Sequence, residues 1–281
     1  MAVRILADST INITEMKGID FVSVPLTIST DERSFVDDEE LDLEEMLDYL
    51  ATYKGRSFTA CPSIDTWLAR YEGADEIYVI VLSSNISGAY NAAMMAADMY
   101  LEKCPTAKIH VFDSLSAGPE VRLLADYIAS KVKKGVSFEE IVPMAEEYLK
   151  HTRVFFALES FHNFAQNGRI SKPVAAVAGA LGIRVIATAA PEGVIDIVEK
   201  ARGAKALARK YMDVLDAAGY LGDRLIIDHC YNPEMAEKLS AMIKDRYPEA
   251  QIVINTTKGL ASYYAEKGGI LLACECHKRY E

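Results

Sequence analysis

Several things that would announce a function are missing from this chain of 281 residues. No G-x-S-x-G nucleophile elbow occurs, which removes the usual signature of a serine hydrolase on an α/β scaffold. Neither a Walker A loop nor a G-x-G-x-x-G turn is present, so a nucleotide or dinucleotide enzyme is not indicated. Basic residues are scarce: 30 Lys and Arg against 41 Asp and Glu give a net charge of −11. Without a basic stripe to neutralise phosphates, DNA and RNA are poor partners. No apolar run approaches the roughly 20 residues that span a bilayer, and repeats and low-complexity tracts are absent.

Cysteine is sparse and odd in number, at Cys61, Cys104, Cys230, Cys274 and Cys276. The apolar run at residues 2–7 is too short for a secretory leader, and a reduced, cytoplasmic protein is expected. The C-terminal CECH (Cys274, Cys276, His277) is a single cluster without a second pair of ligands, so no metal is expected. The other histidines, His110, His151, His162 and His229, pair with no serine cluster. The adjacent acids at 37–40 do not face one another and read as the solvated start of a helix over 41–52.

What is present is 51% apolar residues in an alternation of short β runs and helical runs, the pattern of a parallel sheet with helices on its faces. The α/β series spans 3–134, and a further helix opens with a capping box at Ser137 and Glu140 and carries Pro143 late in its first turns. Pro25 marks an edge for the strand expected at 21–28. A second series follows, with strands at 153–158, 184–188, 194–198, 224–228, 251–255 and 268–276. Helices are expected at 173–182, 204–218 and 233–247, and the turn AAPEG makes a hairpin of the two middle strands. The predicted organisation is two α/β domains with mainly parallel sheets, residues 1–152 and 153–281, with no flexible linker at the boundary.

The most distinctive stretch is LSSNISGAYNAA at 82–93. It follows the apolar run EIYVIVL and leads into an Ala-, Met- and Leu-rich helix. Ser83, Ser84, Ser87 and Gly88 therefore fall at the carboxyl end of a strand and the start of a helix, where N–H groups and a positive dipole end favour an anion. A second segment of the same character, FTACPS at 58–63, gathers Thr59, Cys61 and Ser63 about a helix opening, with Pro62 suited to the first helical position. Together they describe a site of neutral hydroxyls with no evident general base. Such a site holds a carboxylate by charge-assisted hydrogen bonds and has no visible means of reacting with it.

These motifs resemble the DegV family of bacterial fatty-acid-binding proteins. FTACPS is similar to its Thr-Ser-Gln-Pro-Ser signature and LSSNISGAYNAA to its Leu-Ser-Ser-x-x-Ser-Gly-Thr-Tyr-x-x-Ala signature. ADST at 7–10, FDS at 112–114, ALESFHNFAQNGRISK at 157–172 and GVIDIVEKARGAKAL at 193–207 follow in the family's order. The resemblance implies a non-enzymatic carrier of one long-chain, palmitate-like fatty acid. Its carboxylate would be held by Thr59 and Ser87, with Ser84 as a weaker neighbour, and no cofactor is implied beyond the ligand. It further implies delivery to a fatty acid kinase, with Arg169 at the position associated with partner docking. Two departures stand out: Ala60 and Cys61 replace Ser-Gln, and GLASYYAEKGGILLAC at 259–274 lacks the histidine found in kinase-coupled members. The alternatives are an acyl hydrolase or transferase using Ser84 or Ser87, and a protein that senses a fatty acid without passing it on. Phe155, Phe156 and Phe161 are candidates for either cavity lining or core.

Overall fold

A computed structural model describes residues 2–158, 160–171 and 183–278. Among them the strands run, in chain order, β1 Val3–Asp8, β2 Asp20–Val24, β3 Thr27–Thr30, β4 Ser34–Val36, β5 Ser57–Ala60, β6 Glu76–Val81 and β7 Lys108–Asp113. The series continues with β8 Thr152–Ala157, β9 Ile183–Ala189, β10 Ile195–Arg202, β11 Arg224–His229, β12 Gln251–Thr256 and β13 Ile270–Glu275. The helix expected at 173–182 lies outside the described residues.

The first sheet, in the order β2-β1-β6-β7, is parallel throughout. The helix Ala89–Lys103 connects β6 to β7, and Pro119–Lys133, which leads on towards β8, packs against strands of this sheet and of the second large one. Ile77 to Val81 are all buried, which is why β6 reads as an unbroken apolar run rather than an alternating one. The strand expected at 21–28 is split: Pro25 offers no N–H to a ladder, β2 ends at the sheet edge, and β3 leaves to join a small antiparallel sheet, β4-β3-β5. Pro143 is accommodated inside the helix Phe138–Leu149, and the capping box at Ser137 forms.

The second large sheet, β10-β9-β8-β13-β11-β12, departs from the mainly parallel expectation. Only β11 and β12 pair in parallel; the remaining neighbours are antiparallel. The short turn at 190–194 cannot make a crossover, so β9 and β10 form the expected hairpin. β13 returns from the short helix Gly259–Ala265 and inserts between β8 and β11 against their direction.

Buried polar groups join the two halves. Asp8, at the end of β1, accepts from Thr10 N (3.0 Å), Thr10 Oγ1 (2.5 Å) and Leu82 N (2.5 Å). Asn12, in the left-handed region at φ 63°, donates to Asp228 Oδ2 at 2.7 Å and accepts from Lys258 N at 2.9 Å. Asp37 is only 2% exposed, against the expectation of a solvated acidic run. Its carboxylate accepts from Gly259 N (2.7 Å) and Leu260 N (2.9 Å), so a contact far along the chain removes it from water.

Candidate functional site

Leu82 and Ser83 leave β6 and are fixed immediately. Ser83 N donates to Ser116 O at 2.8 Å, Ser83 Oγ donates to Gly193 O at 2.7 Å, and Asn85 Nδ2 donates to Glu192 O at 2.6 Å. The turn is thus pinned to the β9–β10 hairpin of the other large sheet. Gly193 has to be glycine there: its φ is +74°, and a Cβ would sit 2.2 Å from Ser83 Oγ. Ser87 follows, and its Oγ accepts from Ala89 N at 3.2 Å as the helix Ala89–Lys103 begins.

Thr59 lies on β5 opposite Ile28 of β3, so FTACPS is a strand before it is a helix opening. The helix Ile64–Tyr71 starts later than expected, with Ser63 capping it and Pro62 outside it. The two hydroxyl-bearing segments meet: a Cβ on Gly88 would lie 3.5 Å from Cys61 Sγ. Thr59 Oγ1 stands 3.0 Å from the hydroxyl of Tyr264, on the helix Gly259–Ala265.

Thr59 and Ser87 line one cavity of about 870 Å³, counting the space at its mouth. Its walls are largely aliphatic and aromatic, with Leu26, Leu82 and Ile86 from the first half of the chain and Phe156, Phe164 and Leu271 from the second. Phe156 is therefore a lining residue, whereas Phe155 packs in the core beneath the second large sheet and Phe161 is buried. Ser84 is not among the lining residues; its N–H donates to Asp113 Oδ1 at 3.1 Å.

Arg169 is the one charged side chain among the described lining residues. Placed by the resemblance at a docking position, it is half-buried. Its Nε donates to Ile86 O at 3.1 Å and its Nη1 to Asn167 O at 2.6 Å, which holds the guanidinium beside the Ser87 turn. Thr10 and Ser116 also line the cavity, but each gives its hydroxyl hydrogen to a buried carboxylate outside the lining, Asp8 and Glu120 respectively. Burial raises both of these acids, Asp8 to about 6.

No histidine, lysine, cysteine or carboxylate lines the cavity among the described residues, and no group of three or more potential metal ligands occurs among them. Sequence reasoning missed Tyr264 altogether. Burial pushes its phenol pKa up, and its ring stacks on Phe164 with centroids 4.2 Å apart. The adjacent tyrosines at 263 and 264 were the available signal.

A family model described as an uncharacterised protein of the DegV family matches residues 2–274. The chain belongs to the DegV family. A DegV domain-containing protein of Streptococcus pneumoniae is 39% identical over 279 residues, covering 98% of this chain and 99% of the relative. Among solved structures, a DegV family protein from Eubacterium eligens loaded with heptadecanoic acid superposes with a TM-score of 0.96 at 46% identity, covering 98% of this chain and 100% of that one. The fatty acid kinase B3 protein of Streptococcus pneumoniae, loaded with linoleic acid, gives a TM-score of 0.96 at 39% identity over 98% of this chain and 99% of that one. The DegV fold expected from the motifs is therefore the fold observed. No helix among the described residues is long and apolar enough to cross a membrane.

Proposed function

We propose that this chain is a non-catalytic, cytoplasmic carrier of one long-chain fatty acid. The observation that carries the reading is that Thr59 and Ser87, from segments far apart in sequence, line a single, mostly apolar cavity. In this reading the carboxylate lies between the two hydroxyls, the chain divides into domains near residue 152, and the acyl tail runs between them. Ser84 supports the turn from outside the cavity.

The physical chemistry favours such a ligand. Burying about 14 methylenes at roughly 0.8 kcal/mol each yields on the order of 11 kcal/mol, against an association cost of several to about 15 kcal/mol. The tail supplies most of the attraction, and the hydroxyls decide which end remains at the mouth. Arg169 adds a positive charge where the carboxylate would sit, which strengthens hydrogen bonds to an anion. The lining offers nothing to activate a serine: Ser87 Oγ receives a backbone N–H, and no described lining residue is a general base. This supports a carrier over the hydrolase or transferase reading, with no cofactor beyond the ligand. Its resemblance to a fatty acid kinase B3 protein supports presentation of the acid to a kinase, with Arg169 reaching the cavity mouth rather than standing clear of it.

Organic extraction of the purified protein followed by mass spectrometry tests the reading. An intact long-chain acid near one equivalent is expected, and Thr59→Val combined with Ser87→Ala should deplete it. Full retention in the double variant would place the head group elsewhere.

A further inference from the structure

Each hydroxyl of the head-group site has a hydrogen-bond inventory of one hydrogen to give and two lone pairs to receive. A bound carboxylate only accepts, so every hydroxyl that holds it has to spend its hydrogen on it. Ser87 is arranged for this, because the Ala89 N–H occupies one of its lone pairs and no acceptor among the described residues takes its own hydrogen. Among the described residues Thr59 has one side-chain hydrogen-bond partner, the Tyr264 hydroxyl at 3.0 Å, with which either oxygen can be the donor. Were Thr59 the donor, its only hydrogen would be consumed by the tyrosine.

We infer that Tyr264 is a specificity-determining positioning residue: it donates its phenolic hydrogen to Thr59 Oγ1 and so frees the Thr59 hydrogen for an anionic head group. The inference rests on the fatty-acid reading above and adds to it the residue that sets the polarity of the site. Three features of the surroundings hold the tyrosine to that task. Its ring stacks on Phe164, itself a lining residue. The preceding Tyr263 is fastened on both sides, its hydroxyl lying 2.8 Å from Ser57 Oγ and accepting from Asn167 Nδ2 at 2.9 Å, while Asn163 Nδ2 donates to its carbonyl at 2.7 Å. Asn167 O in turn accepts from Arg169, which donates on to Ile86 O, next to Ser87.

Thr59 and the Ser87 turn are thereby tied together by hydrogen bonds alternating with covalent steps, from Thr59 to Tyr264, along the backbone to Tyr263, then through Asn167 and Arg169 to Ile86, the residue before Ser87. The segment from tyrosine to threonine to carboxylate is a donor chain that polarises along its length, so that the first link strengthens the second. The polarisation matters to an anion and little to a neutral head group. An alcohol can give a hydrogen as well as take one, so it can bind a Thr59 whose hydrogen points at the tyrosine.

The test uses the full chain stripped of lipid, with heptadecanoic acid and the corresponding primary alcohol as probes. Tyr264→Phe keeps the ring and its stacking, so melting should stay close to that of the unmutated protein. Thr59 keeps its hydrogen but loses the donor that polarises it, so affinity for the acid should drop by about two- to threefold and affinity for the alcohol by far less. In a double-mutant cycle with Thr59→Val, Tyr264→Phe should add little to the loss caused by Thr59→Val alone, because the tyrosine acts through the threonine. Unchanged acid affinity in Tyr264→Phe, equal losses for acid and alcohol, or the same loss in both Thr59 backgrounds would each overturn the inference. If Thr59→Val and Ser87→Ala also leave acid binding untouched, the site itself has been misassigned. If those two weaken binding and Tyr264→Phe does not, only the role given to Tyr264 falls.

Discussion

The carboxylate of Asp37 closes the amino end of the helix that carries Tyr264, accepting from Gly259 N at 2.7 Å. That helix brings Leu260, Ala261, Tyr264 and Ala265 to the cavity, so one buried acid from the first half of the chain sets much of the wall in the second. Two backbone N–H groups depend on it, and a buried donor left without a partner costs roughly 1 to 3 kcal/mol. Asp37→Ala should lower stability by about 3 kcal/mol in urea unfolding and loosen lipid retention. Asp37→Asn, which keeps one acceptor, should cost less. Equal stability of the alanine variant and the unmutated protein would refute this account of Asp37.

The head-group hydroxyls differ from Asp37 in acting on ligand affinity with little effect on the fold. Thr59→Val or Ser87→Ala removes a bond to a charged partner, worth about 1.5 to 3 kcal/mol, or at least about tenfold in affinity measured by lipid exchange. Their melting temperatures should barely move. A large loss of stability would mean that these hydroxyls serve packing instead.

Gly193 should tolerate no side chain. A Cβ there would meet Ser83 Oγ at 2.2 Å and Leu115 backbone at 3.0 Å, at a φ of +74° that disfavours L-residues. Gly193→Ala is expected to cost roughly 3 kcal/mol by strain and crowding together, and to weaken fatty-acid binding by displacing the turn that carries Ser87. Gly73→Ala, at a similar φ of +84° but with nothing within 4 Å, separates backbone strain from crowding and should cost distinctly less.

The pH dependence of stability carries a signature of Asp8, whose folded pKa stands at about 6 against 3.8 when solvated, chiefly because it is buried. An acid raised by folding stabilises the fold below its unfolded pKa, and that contribution fades as pH rises through the folded value. The stability gap between the unmutated protein and Asp8→Asn should therefore widen in favour of the former as pH falls from about 6 to about 4, by up to about 1.4 kcal/mol per unit. His110 and His229, lowered by burial, act in the opposite sense, but they are common to both proteins and cancel in the comparison. Parallel pH profiles for the two proteins would show that Asp8 titrates normally.

Ala261 faces the cavity, and Ala261→Phe should shorten the acyl chain that fits, shifting the co-purified lipid to lower mass. Retention of the same lipid by this variant would show that the tail takes another course.

The sequence made the strand-to-helix turns legible because hydroxyl, glycine and proline residues punctuate apolar runs locally, and local order is what pattern reading captures. Thr59 and Ser87 came from such turns, and one cavity contains both. Tyr264 did not, because its partner Thr59 lies 205 positions away and its ring looks like ordinary core. Asp37 was misread for the same reason: an acidic run is the usual mark of a wet helix start, and only the Gly259 contact reverses that. The antiparallel second sheet was hidden as well. Helix and strand alternate there just as in the first, and the entry of β13 between β8 and β11 leaves no trace in any short window.

The cavity takes Thr10 from one end of the chain and Leu271 from the other. A wall drawn from segments so far apart in sequence exists only once both large sheets have folded. Anything that binds there favours the fully folded protein over every partly folded form, and so acts on the whole fold rather than on one of its sheets.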